Sequence, residues 1–182
     1  IYQERGAEIF AKTIWDRIGD IDRFLYSDYD NKSLAVELKK IFGEARLKDL
    51  DKKVLISSFQ LDCGPVVMPA VRSWKPKFFH NYEYKPLVPG KAARHNRDRD
   101  EKVVDVALRT SAAPTFFPLY QGYADGGLVA NNPSMCALAQ ALDPETGGEK
   151  LEDIRLLSIG TGVTPKWIEG SNEAWGYKQW AP

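Results

Sequence analysis

Apolar positions recur with two different periods along the chain, and the switches between them mark out its elements. Ile9, Phe10, Ile14 and Ile18 fall near helical spacing with charges between them, so residues 1–26 read as helical. Asp30, Asn31 and Ser33 then supply helix-start chemistry. Leu34, Leu38, Ile41 and Phe42 make one apolar face, and Gly43 is placed as the C-cap. After a charged connector, Val54-Leu55-Ile56-Ser57-Ser58-Phe59 reads as a short buried strand. Pro65, Pro69 and Pro76 predict an irregular path over residues 63–76. The aromatic run from Phe78 to Tyr84 predicts a strand, with a lipid-facing surface patch as the rarer alternative.

The second half repeats the alternation. Residues 90–102 mix both charge signs and predict a solvated, mobile loop; a lid or a head-group contact is the alternative use of such a segment. A short helix follows, with Val103, Val104, Ala107 and Leu108 inward. Asn132-Pro133-Ser134 opens another, with Asn132 at the N-cap and Pro133 at the first helical position. Met135, Leu138, Ala139 and Leu142 are its expected buried face. Residues 143–148 read as a loop. Ile154-Arg155-Leu156-Leu157-Ser158-Ile159 reads as a second buried strand, ended by Gly160-Thr161-Gly162. Strands that alternate with helices favour an α/β layered fold.

Composition narrows the function classes. A chain of 182 residues with 43% hydrophobic and 27% charged positions can build one domain with its own core. Lys+Arg and Asp+Glu are both 25, so the formal net charge is zero, which weighs against a nucleic-acid partner. The two cysteines, Cys63 and Cys136, share no metal-like spacing, and with only two histidines no zinc cluster is indicated. Two buried thiols in a reducing compartment are the plainer reading, so a cytoplasmic location is expected. No apolar run is long enough to span a bilayer.

The candidate chemistry lies in Thr110-Ser111-Ala112-Ala113-Pro114-Thr115-Phe116-Phe117-Pro118 and in Tyr123-Ala124-Asp125-Gly126-Gly127, which continues to Asn131-Asn132-Pro133-Ser134. Taken alone, Asp-Gly is hairpin-turn chemistry. Between a strand and a helix start, however, an aspartate followed by two glycines has an unobstructed backbone around it. Glycine permits positive φ and close approach of another segment. A carboxylate held there can accept a proton from a nearby hydroxyl, and Ser111, Ala112 and Ala113 are small enough to let neighbouring backbone come close. Asn131 and Asn132 either orient the turn or cap the helix.

Together, Ser-Ala-Ala-Pro-Thr-x-Phe-Pro, Asp-Gly-Gly and Asn-Asn-Pro resemble the patatin-like phospholipase family. Phe79-His80-Asn81-Tyr82 is similar to that family's Phe-x-Asn-Tyr strand, and Leu157-Ser158-Ile159-Gly160-Thr161-Gly162 to the strand after its Asp-Gly helix. The resemblance covers roughly residues 20–162 and is specific as a combination. It implies a layered fold with a central, mostly parallel sheet flanked by helices. It also implies a Ser–Asp dyad without histidine, in which serine attacks a lipid ester and aspartate is the general base. Asp125 matches that aspartate, with Gly126 and Gly127 completing the motif. The dyad chemistry implies no cofactor and no metal. The implied substrates are phospholipids or other lipid esters, with peripheral membrane contact as a further expectation and Trp74, Phe78 and Phe79 as aromatic candidates for it.

The family's nucleophile sits in a Gly-x-Ser-x-Gly elbow. None of the serines, from Ser27 to Ser171, has those flanking glycines, and the glycine-rich oxyanion loop is also absent. Residues 1–182 are therefore expected to form a single, N-terminally incomplete catalytic domain. That expectation also rests on the start at Ile1, and it implies a missing N-terminal segment or a partner chain. Alone, the chain is expected to be inactive. The alternative is a non-catalytic lipid-binding or regulatory module with the same fold. His80 is expected to serve in packing or a hydrogen bond, and His95 to be solvated.

Overall fold

The computed structural model describes residues 6, 7, 9, 27, 29–62, 72–86 and 88–162. Most of the expected helix over residues 1–26 lies outside them, although the described positions Gly6, Ala7 and Ile9 are helical. Helix α1 (Lys32–Phe42) begins where the acidic and amide residues placed it, but Asn31 makes no side-chain cap. Asp30 Oδ1 instead accepts the Lys32 N–H at 2.9 Å. At the other end Gly43 takes φ 53°, and its N–H closes on the Lys39 carbonyl.

Strand β1 (Leu55–Gln60) is the centre of a three-stranded sheet ordered β2-β1-β3, with β2 at Lys75–His80 and β3 at Tyr123–Asp125. Both neighbours run antiparallel to β1. The expected central, mostly parallel sheet is not what the described residues form. The reason lies in the connections. Strand β2, helix α2 (Val103–Thr110) and β3 make a crossover that leaves two strands pointing the same way, but β1 is inserted between them. Strand–helix alternation reveals the crossover and not the insertion.

Strand β2 also starts and ends earlier than its aromatic run implied. Pro76 is accommodated because β2 is an edge strand, and the chain leaves the ladder after His80, where Asn81 takes over. Asn81 is buried. Its Oδ1 accepts Val54 N–H at 2.9 Å, and its Nδ2 donates to the carbonyls of Lys52 and Leu47 at 2.9 and 3.2 Å.

Two apolar clusters hold the layers together. Leu47, Phe79, Val103 and Val106 pack one face of the sheet against α2, with Ile56 and Tyr123 at their margin. Leu34, Leu38, Leu108, Phe117 and Ile9 pack α1 against the other side of α2. Phe79 thus belongs to the core and is no candidate for membrane contact, whereas Trp74 is 66% exposed and lies beside Phe59 with ring centroids 5.6 Å apart.

The region after β3 departs most from expectation. Helix α3 (Gly127–Ala130) is a single turn, and α4 (Ser134–Leu142) follows it. No residue of α4 is fully buried, and Met135, placed on its inner face by periodicity, is 69% exposed. Residues 154–159 form no strand: after a 3₁₀ turn at Leu151–Asp153 they run unpaired, with Leu157 and Ile159 at 80% and 83% exposure. An apolar run becomes a buried strand only beside a neighbouring strand, and no described residue supplies one.

Candidate functional site

Asp125 is the last residue of β3, directly opposite Ser58 on β1. Its backbone is fixed from both sides. The Asp125 N–H donates to the Ala112 carbonyl at 3.0 Å, and Gly126 N–H donates to the Thr110 carbonyl. Thr110 Oγ1 donates to the Ser57 carbonyl at 2.7 Å, which ties this segment to β1 as well. Ala112 is almost fully buried, so the small residues at 111–113 do permit the close backbone approach that the sequence suggested.

The two glycines act through space and not through unusual torsions. Gly126 has φ −64° and ψ −20°, a conformation open to any residue, and neither it nor Gly127 has positive φ. Gly126 instead lies against the Ser57 backbone and side chain, where a Cβ would overlap both. Gly127 donates its N–H to Asp125 Oδ1 at 2.6 Å, and a Cβ at this position would crowd that oxygen and Asn131 Oδ1. The turn thereby orients the carboxylate. Oδ2 has no hydrogen-bond partner among the described residues, and the side chain is partly exposed, so this oxygen can receive a proton from an incoming hydroxyl.

No described serine hydroxyl bonds to Asp125. Ser58 is fully buried and donates to the Ala124 carbonyl at 2.8 Å, and Ser57 Oγ points to the Ala130 carbonyl at 3.4 Å. Ser134 and Ser158 lie 3.2 Å apart at the surface, both bonded to Asn132. Asn132 Oδ1 also accepts the Ser134 N–H at 3.1 Å, one residue away from the cap position the sequence gave it.

Neither histidine belongs to the Asp125 turn. His80 is buried in contact with Tyr82, Tyr84 and Asn96, and burial pushes its imidazole below the ordinary value of 6.5. His95 is exposed and pairs with Asp100 at 3.2 Å. A residue that the sequence did not single out is Arg109, whose guanidinium is buried over the rings of Phe79 and Tyr123, hydrogen-bonded to Gln121 and ion-paired with Glu101. It supports β3 from beneath. Its only sequence signal was a charge on the inward side of an amphipathic helix.

Comparison with known proteins places this arrangement in context. The family model for patatin-like phospholipase matches residues 8–138. "Protein teg" of Priestia megaterium is 35% identical over 133 residues, covering 73% of this chain and 36% of that protein. The "cGAMP-activated phospholipase" of Vibrio cholerae is 32% identical over 179 residues, covering 88% of this chain and 44% of that protein. "Patatin-like protein 2" of Oryza sativa subsp. japonica is 29% identical over 157 residues, covering 76% of this chain and 34% of that protein. The chain thus spans less than half the length of these relatives. Among the described residues, no helix is long and apolar enough to cross a membrane.

Proposed function

The chain belongs to the patatin-like phospholipase family, and on that premise we propose that it is the aspartate-bearing part of a lipid acyl hydrolase. The reaction is ester hydrolysis of the phospholipase A or lysophospholipase type. A serine outside these 182 residues gives its hydroxyl proton to Asp125 Oδ2 as its oxygen attacks the ester carbonyl. The tetrahedral adduct collapses, the lipid alcohol leaves with that proton, and an acyl-serine remains. Water, deprotonated by the same carboxylate, then releases the fatty acid.

The observation that carries this reading is the Asp125 carboxylate. One oxygen is fixed by the Gly127 N–H and the other is unpartnered among the described residues, on a strand end held by Ala112 and Gly126. The family and the phospholipase name of the Vibrio cholerae relative support the substrate class. The absence of any Gly-x-Ser-x-Gly from the sequence, together with the partial coverage of those relatives, supports a nucleophile elsewhere and no hydrolysis by the chain alone. Exposed Trp74 supports peripheral contact with the lipid surface.

The test is hydrolysis of phospholipid and lysophospholipid by the longest natural product that contains these residues. Asp125→Asn keeps an acceptor for the Gly127 N–H, so the fold should hold while turnover falls about 10²–10⁴-fold, the usual worth of a general base. Turnover within a fewfold of wild type would sink the assignment. If the longest natural product also lacks the serine motif, a second reading is favoured, a lipid-binding module without chemistry; lipid binding with no hydrolysis by that product would select it.

A further inference from the structure

We propose that a cleft at the β2 edge of the sheet is a binding site for a phosphate-bearing ligand, separate from Asp125. The cleft is open to solvent, has a volume of about 560 Å³, and is lined by Lys77, Tyr84, Arg94, Asn96, Arg97 and Asp98 among others. Lys77 and Asp98 are paired at 2.6 Å and cancel each other's charge. His95 is turned to Asp100. Arg94 and Arg97 have no ion pair among the described residues, so the cleft carries an excess of two positive charges on a chain whose formal net charge is zero.

The cleft is built, not merely charged. Asn96 is buried at its base. Its Nδ2 donates to the carbonyls of His80 and Tyr82, each at 2.9 Å, and its Oδ1 accepts the Asp98 N–H at 3.0 Å. These bonds pin the segment that carries both arginines to the end of β2. The Arg94 guanidinium lies 4.0 Å from the centroid of the Tyr84 ring. That contact with an aromatic face restrains the guanidinium, and a planar guanidinium fork matches a phosphate in bidentate fashion.

The site is distinct from the Asp125 turn. Lys77 and Asp125 pair with the same residue, Ser58, from opposite sides, so they stand two strand spacings apart, on the order of 10 Å between Cα atoms. The inference does not require Asp125 to be catalytic. A phosphate ester can reach this cleft from two sources, a lipid headgroup at a bilayer or a soluble phosphorylated molecule.

The experiment follows backbone amide shifts of the full chain during titration with glycerol 3-phosphate, and measures its retention by phosphatidylglycerol vesicles. The comparison is with the Arg94→Gln/Arg97→Gln double variant, whose arginines are exposed, so its unfolding midpoint should match wild type. Shifts confined to residues 94–98 that weaken about tenfold or more in the double variant, and that fade as salt is raised, support the proposal with a soluble ligand. Retention by vesicles that is lost in the double variant, without glycerol 3-phosphate binding, supports it with a headgroup. If neither probe binds at millimolar phosphate, or the double variant binds as well as wild type, the proposal is overturned.

Discussion

A Cβ on Gly126 would overlap Ser57 Oγ, which can rotate away, and the Ser57 carbonyl, which cannot withdraw without moving β1. On Gly127 the nearest atom would be Asp125 Oδ1 at 3.0 Å, the end of a side chain that can turn. Gly126→Ala is therefore expected to cost about 1–3 kcal/mol through overpacking, and Gly127→Ala clearly less, in paired denaturant titrations. Equal costs for the two would contradict the different roles assigned to them. His80 makes a second prediction at this scale. Its Nδ1 lies 3.2 Å from the Asn96 amide nitrogen, a donor that cannot face a protonated ring nitrogen. Desolvation lowers its proton affinity first; Asp98 and Asp143 partly oppose that, and Lys77 and Arg94 add to it. Below pH 6.5, the ordinary value, the unfolded chain takes up this proton before the folded chain does. The stabilisation is complete above that pH and is lost as pH falls towards the depressed folded value. Urea midpoints of wild type should drop across this window, and His80→Gln should flatten that drop; parallel curves would refute the assignment.

At the scale of elements, local pattern was a good guide wherever a segment makes its own rules. The amphipathic stripe and Gly43 located α1, the β-rich run located β1 within one residue, and the charge of Arg109 did not obscure α2. The failures share a cause. Residues 154–159 and the inner face of α4 needed a neighbour that the described residues do not supply, and periodicity cannot report on neighbours. Since residues 90–95 are exposed as expected, residues 90–102 departed in the opposite direction only in their second half. Read as solvated, they contain a 3₁₀ turn at Arg97–Asp100, pinned by buried Asn96 and laced by the Lys77–Asp98, Lys48–Asp100 and Arg99–Glu83 pairs. Asn81 shows how a motif recognised by resemblance acquires a physical reason. Its amide satisfies the Val54 N–H and the Lys52 carbonyl, closing the loop that leads into β1. Asn81→Ala orphans both groups and should lower stability by about 2–3 kcal/mol. A cost no greater than that of Lys91→Ala, an exposed control, would show that water replaces the amide.

For the whole molecule, the turn that carries Asp125 was legible because its surroundings are local. Asp125 and its two glycines are contiguous in sequence, and the small residues at 111–113 meet them directly through the Asp125 N–H to Ala112 carbonyl bond. The sheet's strand order was not legible, since it depends on which strand is inserted into a crossover. The proposed phosphate cleft was legible only as the alternative of a head-group contact for residues 90–102, since its other parts come from β2 and the Tyr84 segment. The central claim is that Asp125 activates a serine that lies outside these 182 residues. It is tested most directly by reacting a fluorophosphonate probe with this chain, with the longest natural product containing it and with the Asp125→Asn form of that product, and reading intact masses. The account predicts no adduct on the chain, one adduct on the longer product and its loss in Asp125→Asn. An adduct on the chain alone, or labelling of the longer product that is indifferent to Asp125→Asn, would contradict it.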